Sequence, residues 1–297
     1  MATLAERVTA DGYLVLDGAM GTMLQSAGLD DGGAPELWNV ERPDVVRSVH
    51  EAYLKAGSKV VTTNTFGGTR PRLDMHGLGD RVLELNAAAA RLAREAAAPF
   101  GALVAGDLGP LGELLEPLGT LTPDVAQELF AEQVRGLVEG GIDLVLVETM
   151  SDLGEVACAV RAAQQVATET GCDLPVVVTL SFDTKGRTMF GVTPVAAVTE
   201  LAALGVAGVG GNCGRGPQEM EEVAEAMAAV RPSGLLLVAQ SNAGLPVLVG
   251  DRFEYDAGPE VMASHAVRLR ELGVDLVGAC CGSTPEHVRA IAEALAG

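Results

Sequence analysis

The chain has 297 residues, 48% of them hydrophobic and only 3% aromatic, with a formal net charge of −20 at pH 7. So acidic a surface repels phosphate backbones and anionic lipid, which argues against nucleic acid or a membrane surface as partner. No run of about 18 apolar residues is present to span a bilayer, and the N-terminal stretch lacks the basic-then-apolar pattern of a secretory signal, so a cytoplasmic protein is expected.

In chain order, short runs rich in Val, Leu and Ile alternate with amphipathic helical patterns. The first run, "YLVL" (13–16), leads into "DGAMGTML", which matches neither a dinucleotide-binding nor a Walker glycine loop. "PDVVRSVHEAYLKAG" reads as a helix, "KVVTTN" (59–64) as a strand, and "RVLELNAAAARLAREAA" as a helix again. Strands then recur at 102–106, 143–148, 175–181, 206–211, 235–239 and 275–279. Pro stands at or near several helix starts ("RPDVV", "TPDVA", "TPVAA", "TPEHV"), where its fixed φ and missing N–H cost little. Eight strand–helix units predict a (β/α)8 barrel (TIM barrel), one domain over residues 1–297, with a doubly wound open sheet as the rival. Two connections exceed turn length, 107–124 after the third strand and 240–260 after the seventh; both read as candidate lids or donor-docking loops.

In a barrel, the residues just past each strand line one mouth. Here they are Asp17, Thr63 to Thr65, Asp107, Glu148, Ser181, Asn212 with Cys213, Gln240 to Asn242, and Cys280 with Cys281. Five cysteines, an odd number, suggest no disulfide framework. Cys158 fits a core position and Cys172 a turn, whereas Cys213, Cys280 and Cys281 fall at the ends of strands six and eight. Adjacent residues on a strand face opposite ways, but a strand end lifts that restriction, and Gly278 and Gly282 would permit the turn. Three convergent thiols suit a soft tetrahedral ion, most naturally Zn2+, with the fourth position open as in catalytic sites. His287, six residues on, reads as a surface helix residue rather than a fourth ligand. A thiolate-rich zinc polarises carbonyls poorly yet keeps a fourth, substrate thiol deprotonated and nucleophilic, which points to thiol alkylation. The plainer alternatives are small residues packing a rim, and a helix N-cap for Asp17.

"DGAMGTML", "TTNTFGG", "VETM", "GGNCG" and "GACCGSTPEH", in that order, resemble the homocysteine S-methyltransferase family over residues 11–296. The resemblance implies a (β/α)8 barrel that makes methionine by methylating zinc-bound homocysteine, with Cys213, Cys280 and Cys281 as ligands. It further implies that Asp17 and Gly18 hold the amino-acid end, that Glu148 receives the ammonium group, and that Thr63 and Asn212 line the same pocket. "GGNCGRGPQEM", "AQSNAGLPVLV" and "CCGSTPEHV" look closest to the homocysteine domain of cobalamin-dependent methionine synthase. With one Trp and three Tyr, the latter including Tyr53, the chain is poor in rings for a quaternary ammonium donor; Trp38 and Tyr53 are expected to pack. The expected donor is therefore a methyl-corrinoid (methyl-cobalamin) carried by a separate protein. S-methylmethionine or betaine is the small-molecule alternative; a non-catalytic homocysteine-binding subunit and a metal-free barrel lyase are the readings from other classes.

Overall fold

The computed structural model describes residues 3–29, 32–249 and 252–297. Eight parallel strands form one sheet: Leu14–Val15 (β1), Val60–Thr62 (β2), Leu103–Leu108 (β3), Leu144–Met150 (β4), Val176–Leu180 (β5), Gly208–Cys213 (β6), Leu236–Ser241 (β7) and, after a hairpin of β8 (Pro246–Val249) and β9 (Arg252–Tyr255), Leu276–Ala279 (β10). The strand order is β1-β10-β7-β6-β5-β4-β3-β2.

Helix α1 (Leu4–Asp11) precedes the sheet. Met20–Ser26 (α2), Trp38–Glu41 (α3) and Pro43–Ala56 (α4) follow β1, and Arg70–Asp74 (α5) and Val82–Ala97 (α6) follow β2. One helix then follows each strand: α7 (Pro123–Gly140), α8 (Leu153–Thr170), α9 (Pro194–Ala203), α10 (Pro217–Ala228), α11 (Pro259–Glu271) and α12 (Pro285–Ala296). Pro stands in the first turn of α4, α7, α9 and α12, as expected, and at α7 and α9 the residue before it adds a cap beyond that expectation. Thr122 and Thr193 cap α7 and α9 by accepting the N–H of Val125 and Ala196. No helix among the described residues is long and apolar enough to cross a membrane.

The sheet closes at a seam between β1 and β2, which share no ladder. The Lys59 N–H donates to Val15 O (2.7 Å), and the Asp17 carboxylate accepts both the Thr62 N–H (2.7 Å) and the Thr62 hydroxyl (2.9 Å). A side chain thus supplies the rungs that the backbone does not. Alternation divides the strand residues between two cores. Leu14, Leu16, Val60, Leu103, Leu144, Leu146, Val177, Val238 and Leu276 fill the lower interior, and Leu4 and Val8 of α1 pack onto them from below. Val15, Val145, Val147, Val178, Val209, Leu237 and Val277 face the helices.

Strand bounds depart from the apolar pattern where chemistry begins. β6 and β7 run two residues beyond their apolar runs, so Asn212, Cys213, Gln240 and Ser241 are ladder residues rather than loop residues. Backbone hydrogen bonding does not require apolar side chains, so the ladder outlasts the pattern. The 240–260 connection, read as a loop, carries the antiparallel β8–β9 pair, with residues 250–251 outside the described ones.

The register of β6 against β7 leaves no space at Gly210, where a Cβ would meet the Val238 carbonyl. Gly210→Ala should lower the stability by about 1–3 kcal/mol, measured as a drop in the urea midpoint without a change in slope.

Candidate active site

β7 lies between β6 and β10, and its last residue sets the level at which both neighbours end. Ser241 is opposite Cys213 on one side and Ala279 on the other, and its carbonyl accepts the Cys280 N–H at 2.8 Å. Residues 67 apart in sequence therefore meet. The three Sγ atoms of Cys213, Cys280 and Cys281 lie within 4.8 Å of one another, the one such cluster of potential metal ligands among the described residues. Cys213 and Cys280 are 3.0 Å apart, and Cys280 and Cys281 4.0 Å.

The turns that achieve this differ in part from expectation. Gly282 does take a left-handed conformation (φ 79°), but on β6 it is Cys213 itself that does so, at φ 57°. A non-glycine residue held there stores about 1–3 kcal/mol. Gly278 is no turn: it stays in β10, where a Cβ would meet Leu16 Cβ at 2.8 Å and Gln240 Cγ at 3.2 Å.

The donor set fits a soft dication. Hydrogen bonds from Cys213 and Cys280 pull the Cys281 thiol down to about 3, while hydrogen bonding to Cys213 and Cys281, with burial, holds Cys280 well above the usual thiol range. Three thiols so close do not all ionise unless a cation balances them.

Two turns are stitched together beside the thiols. Ser283 Oγ accepts the Ala19 N–H (3.0 Å) and donates to Cys280 O (2.7 Å), and Tyr53 donates to Ala19 O (3.0 Å). A Cβ on Gly18 would come 2.5 Å from Ser283 Oγ and 2.9 Å from the Tyr53 ring, so glycine is what lets the "DGAM" turn rest on "CCGS". Asp17 caps no helix. Ala19 occupies the N-cap of α2 without a side-chain bond, and the Asp17 carboxylate faces Thr62. His287 is half-buried rather than superficial: Nδ1 pairs with Thr284 in a capping box and Nε2 reaches Ala257 O at 3.1 Å. Trp38 packs, with the Arg42 guanidinium over its ring.

A cavity of about 620 Å³ opens at this end, bordered by Asp17, Gly18, Thr63, Glu148, Cys213, Cys280 and Cys281. Asn212, expected among them, does not border it. Its amide is taken up by Thr149, accepting the Thr149 N–H (2.8 Å) and donating to Thr149 Oγ1 (2.7 Å). Thr149 is itself left-handed (φ 58°), so Asn212 pins a strained strand end next to Cys213. Thr63 Oγ1 accepts the Asp107 N–H (3.0 Å) and donates to Thr65 Oγ1 (2.6 Å), whose own proton goes to Asp107 O (2.8 Å).

Asp107 belongs to the cavity as well, with a buried Oδ1 that has no partner among the described residues. In the sequence it is one of many strand-end residues; its carboxylate points inward because it is the last inward position of β3. Gln240, inward on β7, likewise carries an Oε1 with no partner among the described residues, and buried Glu36 accepts the Gly67 N–H at the outer wall. Burial raises Asp17 to about 7 and Glu148 to about 8, the latter also opposed by Asp17 and Cys281, and lifts Asp107 well above the carboxylate range. Among the described residues no ion pair neutralises any of the three. A cationic group among them would favour their ionised forms.

A sequence profile described as homocysteine S-methyltransferase matches residues 14–295. The methionine synthase of Mycobacterium leprae (strain TN) is 37% identical over 308 aligned residues, covering 100% of this chain and 25% of that protein. That of Mycobacterium tuberculosis (strain ATCC 25618 / H37Rv) is 36% identical, covering 97% and 25%. The chain thus spans about a quarter of the length of these curated relatives. The fold is that of the homocysteine methyltransferase MmuM from Escherichia coli, solved in a metallated form (TM-score 0.79, 22% identity, 97% of this chain and 99% of that one). The chain belongs to the homocysteine S-methyltransferase family.

Because the folded Glu148 carboxyl is raised from 4.5 to about 8, its contribution to stability is complete below the unfolded value and is lost as pH rises through the folded one. Urea midpoints of metal-free wild type and Glu148→Gln, compared at about pH 5.5 and pH 8, should shift in favour of the variant at the higher pH; a constant difference would contradict a buried, raised carboxyl.

Proposed function

We propose that the barrel, residues 1–297 as one homocysteine-binding unit, methylates the thiol of homocysteine to give methionine. The observation that carries this reading is one cavity holding a three-thiol cluster and three unneutralised acids. Homocysteine presents the complementary pair, a thiol and an ammonium group. Cys213, Cys280 and Cys281 would hold Zn2+, which supplies the positive charge that keeps the substrate thiol deprotonated while thiolate ligands leave its sulfur nucleophilic.

The remaining work belongs to the chain. Glu148 and Asp107 receive the ammonium group, whose charge lets buried carboxyls ionise. Asp17 stands beside them but is already committed to Thr62, so it contributes field more than direct contact. Of the "DGAMG" turn, the Ala19 N–H is held by Ser283, which leaves Gly18, Met20 and Gly21 as backbone donors for the α-carboxylate. Fixing both ends of the substrate places its sulfur at the thiol cluster with little rotational freedom. Thr63 and Asn212 act behind these groups, through Asp107 and Thr149.

For the donor, a methyl-corrinoid on a separate protein or protein segment is favoured over betaine. Among the described residues Phe66 borders the cavity and the Tyr255 ring packs on Gly282 beside the thiols, too few rings for a cation–π cage. S-methylmethionine remains the alternative that an assay must separate.

Purified under reducing conditions, the chain should carry about one zinc, and Cys280→Ser should lose it together with turnover; methylation that survives zinc loss would overturn the mechanism. Incubation with homocysteine and methyl-cobalamin, S-methylmethionine or betaine in turn identifies the donor by which one yields methionine. Glu148→Gln should raise KM for homocysteine roughly 10- to 100-fold while retaining zinc, the loss of one charge-assisted contact.

A further inference from the structure

Behind the thiols, on the helix side of the sheet, lies a second polar arrangement that the chemistry above does not use. Ser241 Oγ is 2.7 Å from His265 Nε2, and His265 Nδ1 is 2.7 Å from Glu221 Oε1. Glu221 comes from α10, His265 from α11 and Ser241 from the end of β7. A carboxylate only accepts, so Nδ1–H donates to Glu221 and Nε2 accepts the Ser241 hydroxyl proton. These residue types recur in hydrolases, but Ser241 is wholly buried and faces away from the cavity, so no substrate reaches it.

The setting makes the arrangement unusual for this barrel. Level with Ser241 stand Cys213 on β6 and Ala279, within the apolar core, on β10; the last outward position of β6 before its turn is Gly211, against Met220 and Val223. Of these three strands, β7 alone ends on a hydroxyl. A buried hydroxyl or imidazole left without a partner costs about 1–3 kcal/mol, and a fully bonded one contributes little net stability. What it does supply is direction, because a hydrogen bond fixes orientation where apolar contact does not. Ser241 is also the residue whose backbone is shared by both thiol-bearing strands, opposite Cys213 in register and bonded to the Cys280 N–H.

We propose that Glu221, His265 and Ser241 form a positioning relay that holds the end of β7 and thereby sets the spacing and aim of Cys213 and Cys280 toward the metal. This rests on the zinc reading above. The three are positioning residues: none touches the substrate or the ion. Their role parallels outer-shell groups that orient first ligands and whose loss weakens metal binding about 10- to 100-fold.

The test measures zinc affinity by competition with a chromophoric chelator, and the thiolate-to-metal charge-transfer bands of the Co2+-substituted chain, for wild type, Ser241→Ala, His265→Ala and His265→Gln. Melting of the metal-free proteins separates folding from ligation. Ser241→Ala and His265→Ala should weaken zinc binding at least about 10-fold and shift the cobalt bands, beyond any change in metal-free melting temperature. His265→Gln, whose amide oxygen can still accept from Ser241, should stay within about threefold of wild type in affinity and keep its spectrum. Folded alanine variants that match wild type, or a His265→Gln that fails as His265→Ala does, would overturn the relay alone. A wild-type chain that binds no zinc would overturn the zinc reading and the relay with it.

Discussion

Everything at the mouth of this barrel depends on the register of three neighbouring strands. β6, β7 and β10 are held so that Cys213, Ser241 and Ala279 stand in one row, and the thiols meet only because that row is level. The register is enforced by close approach: Gly210 lets β6 lie against β7, and Gly278 admits Leu16 and Gln240. Strain is then placed where it is useful. Cys213 and Thr149 both adopt left-handed conformations, and Asn212 bridges the two strand ends that carry them. Rigid hydrogen bonding around bent backbone is how a fold holds ligands at a spacing that no single strand could offer.

The rest of the mouth is built on charge. Asp17 closes the seam between β1 and β2 and at the same time opposes ionisation of Glu148 and Asp107. A carboxylate recruited to complete the barrel thus also tunes the pocket. Burial makes the three acids costly to ionise together, and a cationic guest relieves that cost, so the same arrangement that weakens the empty site favours an ammonium compound within it. On the proposed function, a cavity that holds both thiols and acids would select a molecule by both of its ends.

Most of this barrel was legible because an apolar run between a turn and an amphipathic stretch has few other meanings in an α/β chain. The cysteine cluster was legible too, since strand ends can be counted. What escaped shares one property: it depends on partners far apart in sequence. Thr62 and Asp17 pair across 45 positions, Ser241 and His265 across 24, Asn212 and Thr149 across 63. Asp107 read as the start of a loop because the apolar pattern of β3 stops before it, although the ladder includes it. The β8–β9 hairpin was hidden for a related reason, its "VLVGDRFEY" lying inside a stretch whose Gly and Pro content reads as loop.

The N-terminal helix has a consequence for traffic. Leu4 and Val8 press into the lower interior, and the layer of Leu and Val above them fills the bore, so the vestibule is blind-ended. Among the described residues, whatever reaches Glu148 and Asp107 comes over the rim, since the packed layer and α1 close the bore beneath. In a vessel with one door, the deeper guest enters before the shallower one and departs after it. A donor seated at the rim would act as a stopper, and the order of arrival and release would follow from shape alone.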